Sequence, residues 1–149
     1  MSLNEKVRIG IVLASVRQGR RGEGFATWIR ELVAARPGVE VEWLDLREHA
    51  LGPYLHEQMP GAIEKSYADP AQRAWSETIH ALDAYVLVTP EYNHGFPGQL
   101  KNALDHVQQG WWYKPVGFVS YGGTANGARA VDQLRGVAAE LRMVTVRGE

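Results

Sequence analysis

Two kinds of apolar pattern alternate along this chain, and their alternation restricts the fold more than any other feature. Short apolar runs rich in β-branched residues occupy residues 7–13 (VRIGIVL), 39–44 (VEVEWL), 85–88 (YVLV), 116–119 (VGFV) and 143–146 (MVTV). The first and third are nearly continuous apolar runs, which suits central strands buried on both faces. Between the runs the period changes to that of a helix. Phe25, Trp28, Ile29, Leu32 and Val33 fall at i, i+3, i+4, i+7 and i+8, and Arg36-Pro37-Gly38 ends the stripe. Trp75, Ile79 and Leu82 share one face of a second helix, for which Asp69 is the expected N-cap and Pro70 the first helical residue. Leu100, Ala103, Leu104 and Val107 mark a third, and Val131, Leu134, Ala138 and Leu141 a fourth.

Strands separated by helices form βαβ units, which place a parallel sheet between two helical layers. The expected fold class is therefore α/β, a doubly wound parallel sheet in the flavodoxin-like strand order 2-1-3-4-5. Its ligand crevice lies beyond the C-terminal ends of the first and third strands, where the winding direction reverses. At 149 residues the chain suits one domain covering residues 1–149, and no repeat or low-complexity tract divides it. Residues 47–69 lack a period and contain Gly52-Pro53 and Pro60-Gly61, so they read as a long irregular connection.

Composition then narrows the chemistry. A formal net charge of −1 argues against a nucleic-acid partner, and the absence of cysteine removes thiol redox chemistry, thiolate zinc sites and iron–sulfur clusters. A redox role therefore requires a bound cofactor. No basic segment followed by a long apolar one opens the chain, and no apolar run approaches the ~18 residues of a membrane span, so a cytoplasmic protein with no membrane partner is expected. Glu91, His94, Asp105 and His106 do not have a metal-ligand spacing, and no metal is expected.

Three loops fall at the crevice end of such a sheet. The first, ASVRQGRRGEG (14–24), is glycine-rich and basic and leads into a helix N-terminus, where free N–H groups, the helix dipole, Ser15 and the cations Arg17, Arg20 and Arg21 suit a phosphate monoester. Neither the P-loop nor the dinucleotide glycine spacing is present, which disfavours a nucleoside triphosphate or a Rossmann dinucleotide. The second, PEYNHGFPG (90–98), can present backbone groups to the edge of a flat heterocycle, with Tyr92 or His94 near its face. The third, SYGGTANG (120–127), is glycine-rich again. Each loop alone also suits an ordinary turn. Together, a phosphate at the first loop and a flat ring between the others describe a mononucleotide.

PEYNHGFPGQLKNALD (90–105) closely resembles the P-E-Y-N-x-[SG]-x-P-G-x-L-K-N-A-[IL]-D signature of the NADPH-dependent FMN reductase family. Residues 14–24 resemble that family's G-S-x-R-x-x-R phosphate loop, with Ala14 in place of the usual Gly, and residues 120–143 its loop and helix after the fourth strand. The resemblance implies a homodimer or homotetramer that binds FMN non-covalently. Such an enzyme passes hydride from NADPH or NADH through the flavin to a small-molecule acceptor: a flavin, quinone, azo dye or metal ion. Carried over, Ser15, Arg17, Arg20, Arg21, Gly22 and Glu23 would hold the FMN phosphate. Pro90, Glu91, Tyr92 and Asn93 would line the isoalloxazine, with Ser120, Tyr121, Gly122 and Gly123 near its pyrimidine edge. No catalytic acid, base or nucleophile is implied, since the cofactor carries the chemistry. Family members usually continue into a last helix after the fifth strand, and that helix is expected to be missing from a chain that stops at Glu149.

Other readings share parts of the pattern. An electron-carrier flavodoxin or a non-catalytic flavin-binding protein fits the fold. A phospho-acceptor domain lacks its acidic cluster here, and a serine hydrolase using Ser120 lacks the glycine two residues earlier, where Phe118 stands. Lys101 and Asn102 suit either surface propensity and capping or a role at the loop. Trp111, Trp112 and Tyr113 suit a core cluster, a subunit contact or a pocket rim.

Overall fold

The computed structural model describes residues 6–49 and 51–147. Five parallel strands pair in the order β2-β1-β3-β4-β5: β1 (Val7–Leu13), β2 (Val39–Asp45), β3 (Ala84–Pro90), β4 (Pro115–Tyr121) and β5 (Val144–Thr145). The strand order and class follow the sequence expectation, and every expected strand is present. The register brings Leu13 opposite both Asp45 and Val88, and Pro90 opposite Tyr121, so the loops after β1, β3 and β4 leave the sheet at a common end.

Alternating side chains divide the strands between two cores, as a sheet covered on both faces requires. Val12, Leu44, Tyr85, Leu87 and Val116 face the larger core, where they meet Trp75 and Ile79 of α3 (Pro70–Ala81), Leu100, Ala103 and Leu104 of α4 (Gly98–Asp105), and Leu134 and Ala138 of α5 (Ala128–Glu140). Ile11, Leu13 and Val88 face the other side and meet Ala26 of α1 (Gly22–Ala34). The α3 start is built as its residues dictate: Asp69 accepts from the N–H groups of Ala71 and Gln72 at 2.8 and 2.9 Å, and Pro70 occupies the first turn, where its missing N–H is not needed.

The α1 stripe is wider than the face it buries. Phe25, Ile29 and Val33 pack on the sheet, whereas Trp28 and Leu32 remain 53% and 47% exposed. No other helix lies over that side of the sheet among the described residues. Because β5 is two residues long, the upper part of β4 keeps an open edge among the described residues, with a groove of about 600 Å³ between Ile29, Val119, Val131 and Val146. The long connection also contains a short turn of helix, α2 (Pro60–Ile63), too short to produce a period in the sequence. Within the aromatic trio, Trp111 is core and Tyr113 is 71% exposed. No helix among the described residues is long and apolar enough to cross a membrane.

Candidate active site

The loop after β1 is fixed from beneath. Arg20, expected at the phosphate, turns inward instead: its guanidinium grips both carboxylate oxygens of Asp45, one at 2.6 Å, and donates to the Ser15 carbonyl at 2.9 Å. The two side chains are only 4% and 5% exposed. Asp45 stands at the end of β2 and also accepts from the Arg47 N–H at 2.9 Å. Burial pushes its carboxyl pKa up, but Arg20 and the Arg47 amide more than offset this and hold it below the usual carboxylate value. The Arg47 side chain donates to the Arg17 carbonyl. By contrast the N–H groups of residues 15–19 find no acceptor among the described residues, and Arg17, Arg21 and Glu23 are exposed. Glu23 lies 3.6 Å from Arg20 Nε, facing that cation rather than an anion site.

Gly22 opens α1 beneath Tyr121, where a Cβ would collide with the phenol oxygen. Tyr121 itself packs against the helix, its ring stacked on Phe25 with centroids 4.9 Å apart, and burial raises its phenol pKa. Its carbonyl accepts from the Glu91 N–H at 2.8 Å, which carries the β3–β4 pairing one residue further. A cavity of about 310 Å³ brings Arg21 together with Phe25, Ser120, Tyr121, Gly122 and Asn126.

After Pro90 the chain makes a two-residue hairpin. Tyr92 and Gly95 exchange N–H···O bonds of 2.8 and 3.0 Å, and both central residues have positive φ, 49° at Asn93 and 74° at His94. Asn tolerates that region and Gln133 secures the turn by donating to the His94 carbonyl at 3.0 Å. Tyr92 points back to the first loop, where its phenol oxygen is 2.8 Å from the buried Ser15 hydroxyl and its ring lies under the Arg17 guanidinium, 5.6 Å away. Glu91 points the other way. Its carboxylate, 6% exposed, meets Arg129 of α5 at 2.6 Å.

The loop after β4 is short of room. A Cβ on Gly122 would stand 3.0 Å from the Glu91 Cβ, and one on Gly127 would stand 2.6 Å from both the Ser120 Cβ and the Tyr121 nitrogen. Gly127 also has φ of 89°, which an L-residue resists. Gly122 and Gly123 leave exposed backbone at the mouth.

The structure thus unites Ser15, Arg17 and Tyr92 at one place and Arg21, Ser120, Tyr121 and Gly122 at another, with Pro90, Glu91 and Asn93 between the first and third loops. The Arg20 and Glu91 side chains are committed to ion pairs. Asp45, Arg47, Arg129 and Gln133 act here through contacts between residues distant in sequence. Only Asp45 left a signal in the sequence, as a carboxylate ending an apolar run at the crevice end of a strand. Lys101 pairs with Asp105 on the surface, while Asn102 ties down the long connection through the Leu51 and Gly52 carbonyls. His94 is exposed at the hairpin tip, and no group of three His, Asp or Glu able to hold a metal ion occurs among the described residues.

The family model of the NADPH-dependent FMN reductases matches residues 7–149. An NAD(P)H-dependent FMN reductase of Saccharomyces cerevisiae is 37% identical over 153 aligned residues, covering 95% of this chain and 78% of that one. An NAD(P)H:quinone oxidoreductase of Solanum tuberosum is 27% identical over 150, covering 97% and 74%. Among solved structures, the flavoenzyme NAD(P)H:(acceptor) oxidoreductase FerB of Paracoccus denitrificans superposes with a TM-score of 0.78 at 21% identity, over 95% of this chain and 75% of that one, a likeness of fold.

Proposed function

The chain belongs to the NADPH-dependent FMN reductase family, and from that premise we propose that it takes reducing equivalents from NADPH or NADH and delivers them, through FMN held between the three loops, to a quinone-class small molecule. FMN, when bound, supplies the hydride acceptance and release that no side chain of this protein offers. The protein's part is to bind, orient and polarise.

The Ser15–Tyr92 hydrogen bond carries this reading, because it joins the anion-binding end of the crevice to its ring-binding end in one rigid unit. At the first end, the N–H groups of residues 15–19, which meet no acceptor among the described residues, the N-terminus of α1 and the exposed Arg17 and Arg21 suit a dianionic phosphate. Gly22 contributes by letting α1 start against Tyr121. At the other end, Pro90, Glu91, Tyr92 and Asn93 would wall the flat ring with backbone more than side chain, since the Glu91 carboxylate is engaged elsewhere. The exposed N–H groups of Gly122 and Gly123 would meet the electron-rich pyrimidine edge, with Ser120 and the Tyr121 backbone setting their position. An acceptor needs no protein acid or base in this arrangement. A quinone suits it because the Solanum tuberosum relative is named for that acceptor. Self-association into a dimer or tetramer would also cover the exposed Trp28 and Leu32 on α1.

The test is anaerobic. Protein loaded with FMN and freed of excess flavin by gel filtration is mixed with NADPH or NADH, and the flavin absorbance is followed. Rapid bleaching, reversed by adding a quinone, is the expected result. Flavin that stays bound but keeps its absorbance with both nucleotides would sink the reductase reading.

A further inference from the structure

Resting on the FMN reading above, we propose that Arg20, Asp45 and Arg47 are positioning residues that aim the phosphate-binding loop, and that Arg20 acts through the backbone without touching the phosphate. Arg20 is the residue the motif would assign to the anion, yet its guanidinium is sealed against Asp45 and the Ser15 carbonyl. Releasing it toward a phosphate would strand a carboxylate that is 5% exposed, and an unpaired buried charge is strongly unfavourable.

What the trio does hold is the direction of two peptide planes. In a trans peptide the carbonyl of one residue and the N–H of the next point in opposite directions, and no cis peptide occurs among the described residues. Arg20 ties the Ser15 carbonyl to the Asp45 side, and Arg47 ties the Arg17 carbonyl there too. The N–H groups of Val16 and Gln18 are thereby turned to the opposite side, where no protein acceptor meets them among the described residues. Asp45 is the anchor of both ties, since it grips the Arg20 guanidinium and the Arg47 backbone N–H. A carboxylate beneath a phosphate site is repulsive by charge alone, so its presence there fits an orienting role and no direct one.

The sign of one substitution separates the possibilities. Asp45→Asn keeps the shape and removes the charge. Loss of repulsion, or release of Arg20 to the ligand, would tighten FMN binding. Loss of orientation would weaken it, and only for the ligand with a phosphate. We expect Asp45→Asn to lose FMN affinity about tenfold while riboflavin affinity changes less than about twofold, the scale of one charge-assisted hydrogen bond. Titration of flavin fluorescence with each ligand reads both constants, and FMN affinity unchanged or raised would overturn the proposal. Failure of the underlying reading shows separately, as a wild-type protein that binds FMN no better than riboflavin, which removes the cradle and the proposal together. Should Asp45→Asn not fold, Arg47→Ala at a surface position replaces it. Measured at ~0.5 M salt, where exposed charges are screened within roughly 5 Å, it should still lose FMN affinity severalfold, and an unchanged value there would overturn the tether.

Discussion

The Ser15 hydroxyl and the Tyr92 phenol lie 2.8 Å apart although 77 positions separate them in sequence. Ser15 is 1% exposed, so its hydroxyl has no water to turn to if Tyr92 loses its oxygen. Tyr92→Phe should lower unfolding free energy by about 1 kcal/mol, the usual cost of leaving a buried hydroxyl unpaired. Adding Ser15→Ala removes the stranded group as well, so the double variant should lose less than the sum of the two single ones. Urea unfolding of all four proteins measures the coupling, and strictly additive losses would mean that the contact contributes nothing.

Glycine carries two opposite expectations at α5, one at its N-cap and one in its interior. Gly127 has φ of 89° and would place a Cβ 2.6 Å from the backbone of Tyr121, whereas a Cβ on Gly136, within the helix, meets nothing within 4 Å. Gly127→Ala should therefore destabilise by about 2 kcal/mol or more and loosen the loop after β4. Gly136→Ala should stabilise by about 0.5–1 kcal/mol, because it limits the unfolded chain and improves helix propensity. Thermal midpoints moving in the same direction for both would contradict the geometry.

What the sequence disclosed follows from the range of the interactions involved. The strands of β1 to β4 and the Asp69-Pro70 helix start were legible because each is set by neighbours a few residues away. The crevice was legible because topology alone brings the three loops to one end of the sheet. The Arg20–Asp45 and Glu91–Arg129 pairs were not, since each joins residues distant in sequence, and a basic residue in a loop reads the same whether it faces a ligand or a carboxylate. Trp28 and Leu32 misled for a related reason: a helical stripe shows which residues are apolar, while the width of the covering surface is decided by other elements.

The Glu91–Arg129 pair is unequal, and its variants should be too. The Glu91 side chain is 6% exposed and the Arg129 side chain 40%. Arg129→Ala strands a carboxylate that water cannot reach well. Glu91→Gln leaves a guanidinium that is already partly solvated and an amide that still accepts a hydrogen bond. Arg129→Ala should therefore be the more damaging by about 1–2 kcal/mol, and equal losses in denaturant unfolding would show that the burial difference is immaterial.

Alkaline pH gives the last expectation. Burial lowers the Lys114 pKa from its ordinary 10.5 to about 8, although its ammonium donates to the carbonyls of Ile79 and His80 and to the Tyr85 hydroxyl. Between those two values the unfolded chain retains a proton that the folded chain has released, so stability should rise with pH from about 8 toward 10.5. Tyr67 and Tyr85 act in the opposite sense. Burial raises both phenols above their ordinary 10.0, so above that pH the unfolded tyrosines ionise first and stability should fall. The two trends together predict a secondary maximum in unfolding free energy near pH ~10. Lys114→Met should abolish the rise and keep the fall. Denaturant unfolding of both proteins from pH 7 to 11 measures this, and a rise that persists in Lys114→Met would assign it to another group.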